Sequence, residues 1–279
     1  MQFLKSLALH YAQLLWLILV LPFVFGLLLY ALSRSTRNLF AKAGVPAVDI
    51  YLTGWLGVPL HELGHALFCI IFNHKITDIQ LFKPNKQDGT LGYVTHSYDP
   101  KNWYQAVGNF FIGCAPIIFG ALMLYFVTVL FFSETFALPA TQIVPLQKNI
   151  SFLSFLTTLW HFLQQAFGSF WHFFKQLNFS SWQPWVYGYI MLAISSHTQL
   201  SLPDVRTMFR GLLVLCAVLL LGMLIAEIWE FPAVPWLATS SIMNYFYALL
   251  LFAICVSAVN FVVTFVIMLV VRVVKGKTR

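Results

Sequence analysis

Several long apolar segments, separated by short polar stretches, constrain what this chain can fold into. A run of about 20 apolar residues is long enough to cross the hydrocarbon core of a bilayer as a helix. Hydrophobic residues make up 60% of the chain and charged residues only 9%, whereas roughly a quarter of an ordinary soluble domain is charged. A soluble surface cannot be built from this composition. We therefore expect an all-α polytopic membrane protein that forms one membrane-embedded domain over residues 1–279.

The apolar segments predict about six transmembrane helices. They cover residues 12–32, 51–72, 104–132, 184–200, 209–228 and 243–271. The connection 133–183 is rich in Trp and Phe. We expect an interfacial helix there, because aromatic and amphipathic residues favour the headgroup level of a bilayer.

The basic residues predict an orientation in the membrane. Four of them follow the last apolar segment, namely Arg272, Lys275, Lys277 and Arg279. The positive-inside rule places this end in the cytoplasm. Counting back six spans puts the N-terminus and the segment 77–98 inside too, but it leaves Arg34, Arg37 and Lys42 outside, against the same rule. Either the first span has another orientation or this connector lies along the interface. The cations form no stripe of the kind that binds nucleic acid, so we expect no nucleic-acid partner.

Residues 77–98 change from continuous apolar sequence to alternation. The segments ITDIQLF and GYVTH flank residues 83–89, which contain Pro-Asn and Asp-Gly pairs. Such pairs are typical of turns. The sequence therefore predicts a small β-hairpin directly after the second span.

The second span contains the sequence His61-Glu62-Leu63-Gly64-His65. On a helix, residues four apart lie on one face, so both imidazoles can reach a single Zn²⁺. Zinc can activate a water for hydrolysis, and Glu62 can then act as the general base. A chance match is on the order of one in a few hundred for such a short motif. An ionisable residue at the centre of a membrane helix also costs about 2.5 to 3.5 kcal/mol, which argues for a polar purpose.

The segment GVPLHELGHALFCIIF, residues 57–72, resembles the metal-binding helix of the site-2 protease family of intramembrane zinc metalloproteases. The hairpin and the small-residue segment GCAPIIFGA, residues 113–121, also resemble that family's core. The resemblance covers residues 51–130 well and residues 190–210 weakly. It implies that residues 51–130 and 184–210 form a catalytic core, with 133–183 as an interfacial aromatic connection. It also implies a third zinc ligand, an Asp on a later membrane helix.

Two residues compete for the place of that third ligand. Asp204, in Leu202-Pro203-Asp204-Val205, is the candidate that the resemblance implies, although the Gly that usually follows this Asp is absent. A second interpretation of Asp204 is helix capping at a membrane boundary. His197, seven residues earlier, is the rival ligand. Glutamate ligands are less well placed, because Glu134 falls in a loop and Glu227 and Glu230 lie at the predicted opposite end.

The remaining polar residues have simpler interpretations. His74 and His96 are expected to be solvated, and Asn109 is expected to form an interhelical hydrogen bond more readily than to orient a substrate. His161 and His172 are expected at the membrane interface. The four cysteines stand singly in apolar stretches and are expected to be buried small hydrophobes. They are Cys69, Cys114, Cys216 and Cys255.

The motif and the resemblance together predict an intramembrane zinc metalloprotease. It would hydrolyse peptide bonds in or near membrane-spanning segments of a substrate protein, with the lipid bilayer as its surroundings. A substrate helix must first unwind, because its amides are bonded internally, and the edge of the hairpin could hold the unwound strand. The alternative is a non-proteolytic membrane protein that keeps the motif for metal or partner binding. We expect a multi-pass protein of the plasma (inner) membrane of a bacterium.

Overall fold

The computed structural model describes residues 1–45, 47, 49–85, 89–133 and 152–277. Within these ranges the chain is almost entirely helical, with one pair of short strands. The first helix, α1 (Gln2–Leu15), continues through a π-helical turn (Trp16–Val20) into α2 (Leu21–Lys42). A second π-helical turn (Asp49–Thr53) leads into α3. The other elements are α3 (Gly54–Ile71), β1 (Lys75–Gln80), β2 (Tyr93–Ser97), α4 (Trp103–Phe132), α5 (Phe152–Gln176), α6 (Gln183–His197), α7 (Leu202–Ile228), α8 (Ala233–Thr239) and α9 (Ser241–Lys277).

Five helical segments of the described chain are long and apolar enough to cross a membrane. They are Gln2–Lys42, Asp49–Ile71, Trp103–Phe132, Leu202–Ile228 and Ser241–Val271. The predicted fold class is confirmed: the chain is an all-α polytopic membrane protein with a small β-hairpin. The predicted segment 184–200 forms α6, which has 15 residues. At about 1.5 Å per residue, α6 is shorter than the roughly 30 Å hydrocarbon core.

Helices α6 and α7 run in the same direction, both antiparallel to α4. As the residue number rises along α6 and α7, the number of the residue contacted on α4 decreases. The contacting pairs are Tyr187 with Thr128, Thr198 with Gly120, Met208 with Gly113 and Gly211 with Phe110. The two helices therefore form one path that is broken at residues 198–201. If each of the five segments crosses once, the two ends of the chain lie on opposite sides, and Arg34, Arg37 and Lys42 share the side of the basic C-terminus. For these three cations that arrangement agrees with the positive-inside rule. It puts the N-terminus and the hairpin, which carries Lys75 and Lys83, on the opposite side, unlike the prediction from six spans.

The predicted hairpin is present over the described residues. Strand β1 pairs with β2 in antiparallel register, with Ile79 opposite Val94 and an irregularity between Ile76 and Asp78. The connection 133–183 is described only in part. Residues 134–151, and with them Glu134, lie outside the described residues, and Phe152–Gln176 forms the helix α5.

Small residues on α4 allow the close contact with α7. Gly113 lies against the backbone of Asp204 and Met208, and a Cβ atom at Gly113 would be 2.7 Å from the Met208 Cβ atom. The backbones of the two helices would therefore have to move apart to admit a side chain at Gly113.

We expect Gly113→Ala to lower the free energy of unfolding by about 1–3 kcal/mol, because overpacking forces the helix backbones apart. Gly222→Ala, also in a membrane helix, is the matched control, since a Cβ atom there would meet nothing within 4 Å. The control should change stability by no more than about 0.5 kcal/mol. Thermal unfolding of both variants in the same detergent measures the difference. Equal unfolding temperatures would contradict this account of the packing of α4 on α7.

Candidate metal centre

The helix α3 carries the motif between two neighbouring helices. Gly57 packs against the Ala193 carbonyl and the His197 ring of α6, and Gly64 packs against α4, where a Cβ atom would be 3.3 Å from the Ala115 carbonyl oxygen. Because both glycines lack a side chain, α6 and α4 approach closely on either side of the motif. Residues 61 and 65, four apart, project from the same face of α3.

Three side chains from two helices converge at this point. His65 Nε2 lies 3.1 Å from Asp204 Oδ1 and His61 Nε2 lies 3.6 Å from Asp204 Oδ2. The two Nε2 atoms are 3.3 Å apart. All three potential ligand atoms lie within 4.8 Å of one another. His61, His65 and Asp204 could therefore hold a metal ion.

The hydrogen bonds of the two histidines fix which nitrogen is free. His61 Nδ1 donates to the His197 carbonyl at 2.8 Å, and His65 Nδ1 donates to the Ile112 carbonyl at 2.8 Å. A carbonyl oxygen only accepts, so each Nδ1 carries the proton and each Nε2 of the neutral ring keeps its lone pair. Metal-binding histidines typically use their second nitrogen in this way. Two lone pairs and a carboxylate that face one another repel unless a cation lies between them, so this donor set fits a metal ion.

Asp204 has two contacts of different kinds. Its Oδ2 atom accepts a hydrogen bond from the Ser201 backbone N–H at 2.6 Å, and its own backbone N–H donates to Ser201 Oγ at 3.3 Å. This reciprocal pair is a capping box at the start of α7. The break at residues 198–201 thus positions the carboxylate, and the capping interpretation of Asp204 is compatible with its place beside the two histidines.

His197 lies outside the group of three. Its ring is buried against Gly54 and Gly57, and its Nδ1 atom donates to the Ala193 carbonyl at 3.2 Å. Its Nε2 atom has no hydrogen-bond partner among the described residues. The contact of His197 with the centre is made by its main chain, which accepts the hydrogen bond from His61.

Glu62 borders the same centre without belonging to the group of three. It is 6% exposed, and a Cβ atom at Gly92, just before β2, would be 3.0 Å from Glu62 Cγ. The end of the hairpin therefore lies directly over this carboxylate.

A cavity of about 1400 Å³ is bordered by His61, Glu62, His65 and Asp204, and it extends from them to the outer surface of the helices. Residues of α2, α7, α4 and the hairpin line this cavity. Phe23 and Leu27 of α2 and Phe209 of α7 border the cavity and are about half exposed. The cavity is therefore lined mainly by apolar side chains and reaches the apolar outer surface of the molecule.

The prediction that His74 is solvated is wrong. His74 is 6% exposed, its Nδ1 atom lies 2.9 Å from His96 Nδ1, and its ring stacks on Tyr98. His96 is half-buried and borders the cavity. Burial lowers the pKa of His74. Burial, followed by the charges of His74, His65 and Arg210, lowers the pKa of His96 to about 4. The alternation along β2 could have indicated a common face for residues 94 and 96, but not what that face meets.

The remaining polar residues that are singled out in the sequence and described by the structure are not among those that line the cavity. Asn109 is 1% exposed, and the hydrogen bond that the structure shows for it runs to the Ala106 carbonyl of the same helix at 3.4 Å. His161 and His172 are exposed on α5. Glu227 pairs with His10 at 2.8 Å. The four cysteines are free thiols, but only Cys69 is buried as predicted; the other three are half-buried, and Cys114 and Cys216 border the cavity.

No protein-family model, no curated protein and no solved structure matches this chain.

Proposed function

We propose that this protein is an intramembrane zinc metalloprotease that cleaves peptide bonds in or near membrane-spanning segments of other proteins. The observation that carries the proposal is the convergence of two imidazole lone pairs and a carboxylate, with a second carboxylate beside them, at an apolar cavity inside a membrane protein. Resemblance of residues 57–72 to the site-2 protease family points in the same direction.

The donor set favours zinc over harder cations. Two imidazoles and one carboxylate are the ligands of many catalytic zinc sites, which keep a further position open, whereas Mg²⁺ and Ca²⁺ prefer oxygen ligands. His61, His65 and Asp204 would hold the ion. A zinc ion bound there supplies a Lewis acid that polarises the peptide carbonyl and lowers the pKa of water.

Glu62 has the place that a general base needs. It follows His61 directly on α3 and borders the cavity beside the three ligands. In the proposed reaction Glu62 takes a proton from the attacking water and later delivers it to the leaving amine. A metal site with a purely structural role has no use for a second, buried carboxylate at this position, which argues against the scaffold alternative.

The cavity suits an apolar segment that enters from the bilayer. A membrane helix has to unwind before one of its carbonyls can react, because its amides are bonded to one another. The hairpin lies beside the cavity and could hold the unwound strand at an edge. We propose the plasma membrane of a bacterium as the site of this activity.

Reconstitution in lipid vesicles with a peptide that carries one membrane-spanning segment tests the proposal. We expect cleavage, detected by mass spectrometry, to fall at least roughly 100-fold when a chelator removes the metal, since the metal supplies the main charge stabilisation. Added zinc should restore the rate, and added magnesium is the control that should not. Cleavage that persists after zinc has been removed from the same sample would contradict the proposal.

A further inference from the structure

The imidazole of His96 has a fixed tautomer, and the chain of hydrogen bonds that fixes it begins at α4. His74 Nε2 lies 2.8 Å from the Gln105 carbonyl oxygen. Because that oxygen can only accept, His74 Nε2 carries the proton. His74 is buried beside Gly108 and Tyr98, and burial lowers its pKa. The ring is therefore neutral at pH 7, and its Nδ1 atom is an acceptor.

The proton between the two rings must then come from His96. The two Nδ1 atoms are 2.9 Å apart, which is a hydrogen-bond distance. Since His74 Nδ1 accepts, His96 Nδ1 donates. A neutral imidazole carries one proton, so the lone pair of His96 lies on Nε2, on the ring edge that faces away from His74. The same division of roles is found in His61 and His65, whose Nδ1 atoms also donate.

Strand β2 carries this acceptor at the border of the cavity. Successive side chains of a strand point to opposite faces. The hydroxyl groups of Tyr93 and Thr95 bond to Asp78 and Thr77 of β1. Val94 and His96 are half-buried, and both border the cavity, as Tyr93 also does. Glu62 and the three potential metal ligands border the same cavity. His96 is not a member of the group of three within 4.8 Å, so its acceptor serves another partner.

We propose that His96 Nε2 accepts a hydrogen bond from one backbone N–H of the substrate segment, and so positions the extended strand beside the metal centre. This inference rests on the proposed function and adds a specificity to it: the residue that supplies the N–H cannot be proline. His96 acts through binding. A role as proton donor to the leaving amine does not fit an imidazole that burial keeps neutral at pH 7.

Two substitutions at His96 separate its two nitrogens. His96→Asn places an amide N–H near the position of Nδ1, so it can still donate to His74 but has no acceptor at the position of Nε2. His96→Gln places an amide oxygen near the position of Nε2 and can accept there. Affinity is measured with a membrane-spanning peptide in the Glu62→Gln background, and KM and kcat are measured with Glu62 intact.

We expect His96→Asn to weaken peptide binding and raise KM about tenfold, the effect of one buried hydrogen bond. Its kcat, zinc content and unfolding temperature should stay close to those of the parent. His96→Gln should keep most of the affinity. A series of peptides, each with one amide replaced by an ester, locates the donor. At one position the ester should lower the affinity of the parent protein for the peptide about tenfold, and it should leave the affinity of His96→Asn unchanged.

Three results would overturn the inference. They are unchanged affinity in His96→Asn, equal losses for His96→Asn and His96→Gln, and an ester series that affects the parent and His96→Asn alike. If His96→Asn proves unstable, His96→Ala replaces it in the ester series, because it too has no acceptor at this position and should lose the ester effect. A parent protein that binds the peptide but never cleaves it would contradict the proposed function, while the affinities would still measure the His96 hydrogen bond.

Discussion

Glu62→Gln is expected to lower the rate of peptide cleavage by roughly 10²- to 10⁴-fold, the usual contribution of a general base, while the protein keeps its zinc. The amide of Gln has nearly the shape of the carboxylate but cannot take up a proton at neutral pH. Zinc should stay bound because Glu62 is not one of the three residues whose ligand atoms converge. Cleavage rates and zinc per chain are measured on the same purified sample.

Glu230→Gln is the matched control for this substitution. Glu230 is exposed in the turn between α7 and α8, so the same change of chemistry there should leave the rate within about twofold, as expected for a surface residue. If Glu62→Gln cleaves as fast as the parent protein, Glu62 is not the base. If it loses its zinc together with its activity, the carboxylate acts as a ligand and the proposed assignment of roles is wrong.

Local geometry explains why much of the centre could be predicted from the sequence. The spacing of His61 and His65 places both on one face of any α-helix, whatever that helix packs against. Apolar length predicts membrane helices because the bilayer sets the length that is required. The hairpin is also a local structure, since its turn residues and its alternating strands are adjacent in the sequence.

The remaining features depend on tertiary contacts that leave no mark in a local pattern. Segment 184–200 contains an apolar run that predicts a span, but α6 ends at His197, and only its contacts with α4 show that it continues in the direction of α7. The pairing of His74 with His96 joins residues 22 positions apart, and a third residue, Gln105, accepts the hydrogen bond from the other nitrogen of His74. A histidine beside a hairpin is usually solvated, and His74 is buried because α4 packs against it at Gly108.

The sequence leaves the third ligand open between Asp204 and His197, because this choice also depends on tertiary contacts. Both residues lie near the break between α6 and α7, and a rotation of either helix would exchange their positions relative to α3. In the structure the capping box turns the Asp204 carboxylate toward the two histidines, while the His197 ring packs on Gly57. The side chain of Asp204 therefore lies beside the two histidines, whereas His197 contributes its main-chain carbonyl, which accepts the hydrogen bond from His61.

Asp204→Asn is expected to weaken zinc binding at least roughly 100-fold, beyond the effect of a lost supporting hydrogen bond, whereas His197→Asn should leave zinc affinity within about threefold. The two variants introduce the same residue. At Asp204 the amide oxygen can still accept from the Ser201 N–H and preserve the cap, so the loss reports the missing charge. At His197 the amide can still donate to the Ala193 carbonyl, and the main-chain carbonyl that orients His61 is unchanged.

Zinc affinity is measured by competition with a chelator of known affinity, and zinc per chain by elemental analysis of the purified variants. His65→Ala serves as the reference for loss of a ligand, because it removes an Nε2 atom from the group of three. The zinc affinity of Asp204→Asn should be close to that of His65→Ala, and the zinc affinity of His197→Asn should be close to that of the parent protein. The opposite order would transfer the third ligand to His197. Full zinc content and affinity in both variants would mean that neither side chain coordinates the ion and that the centre is misplaced.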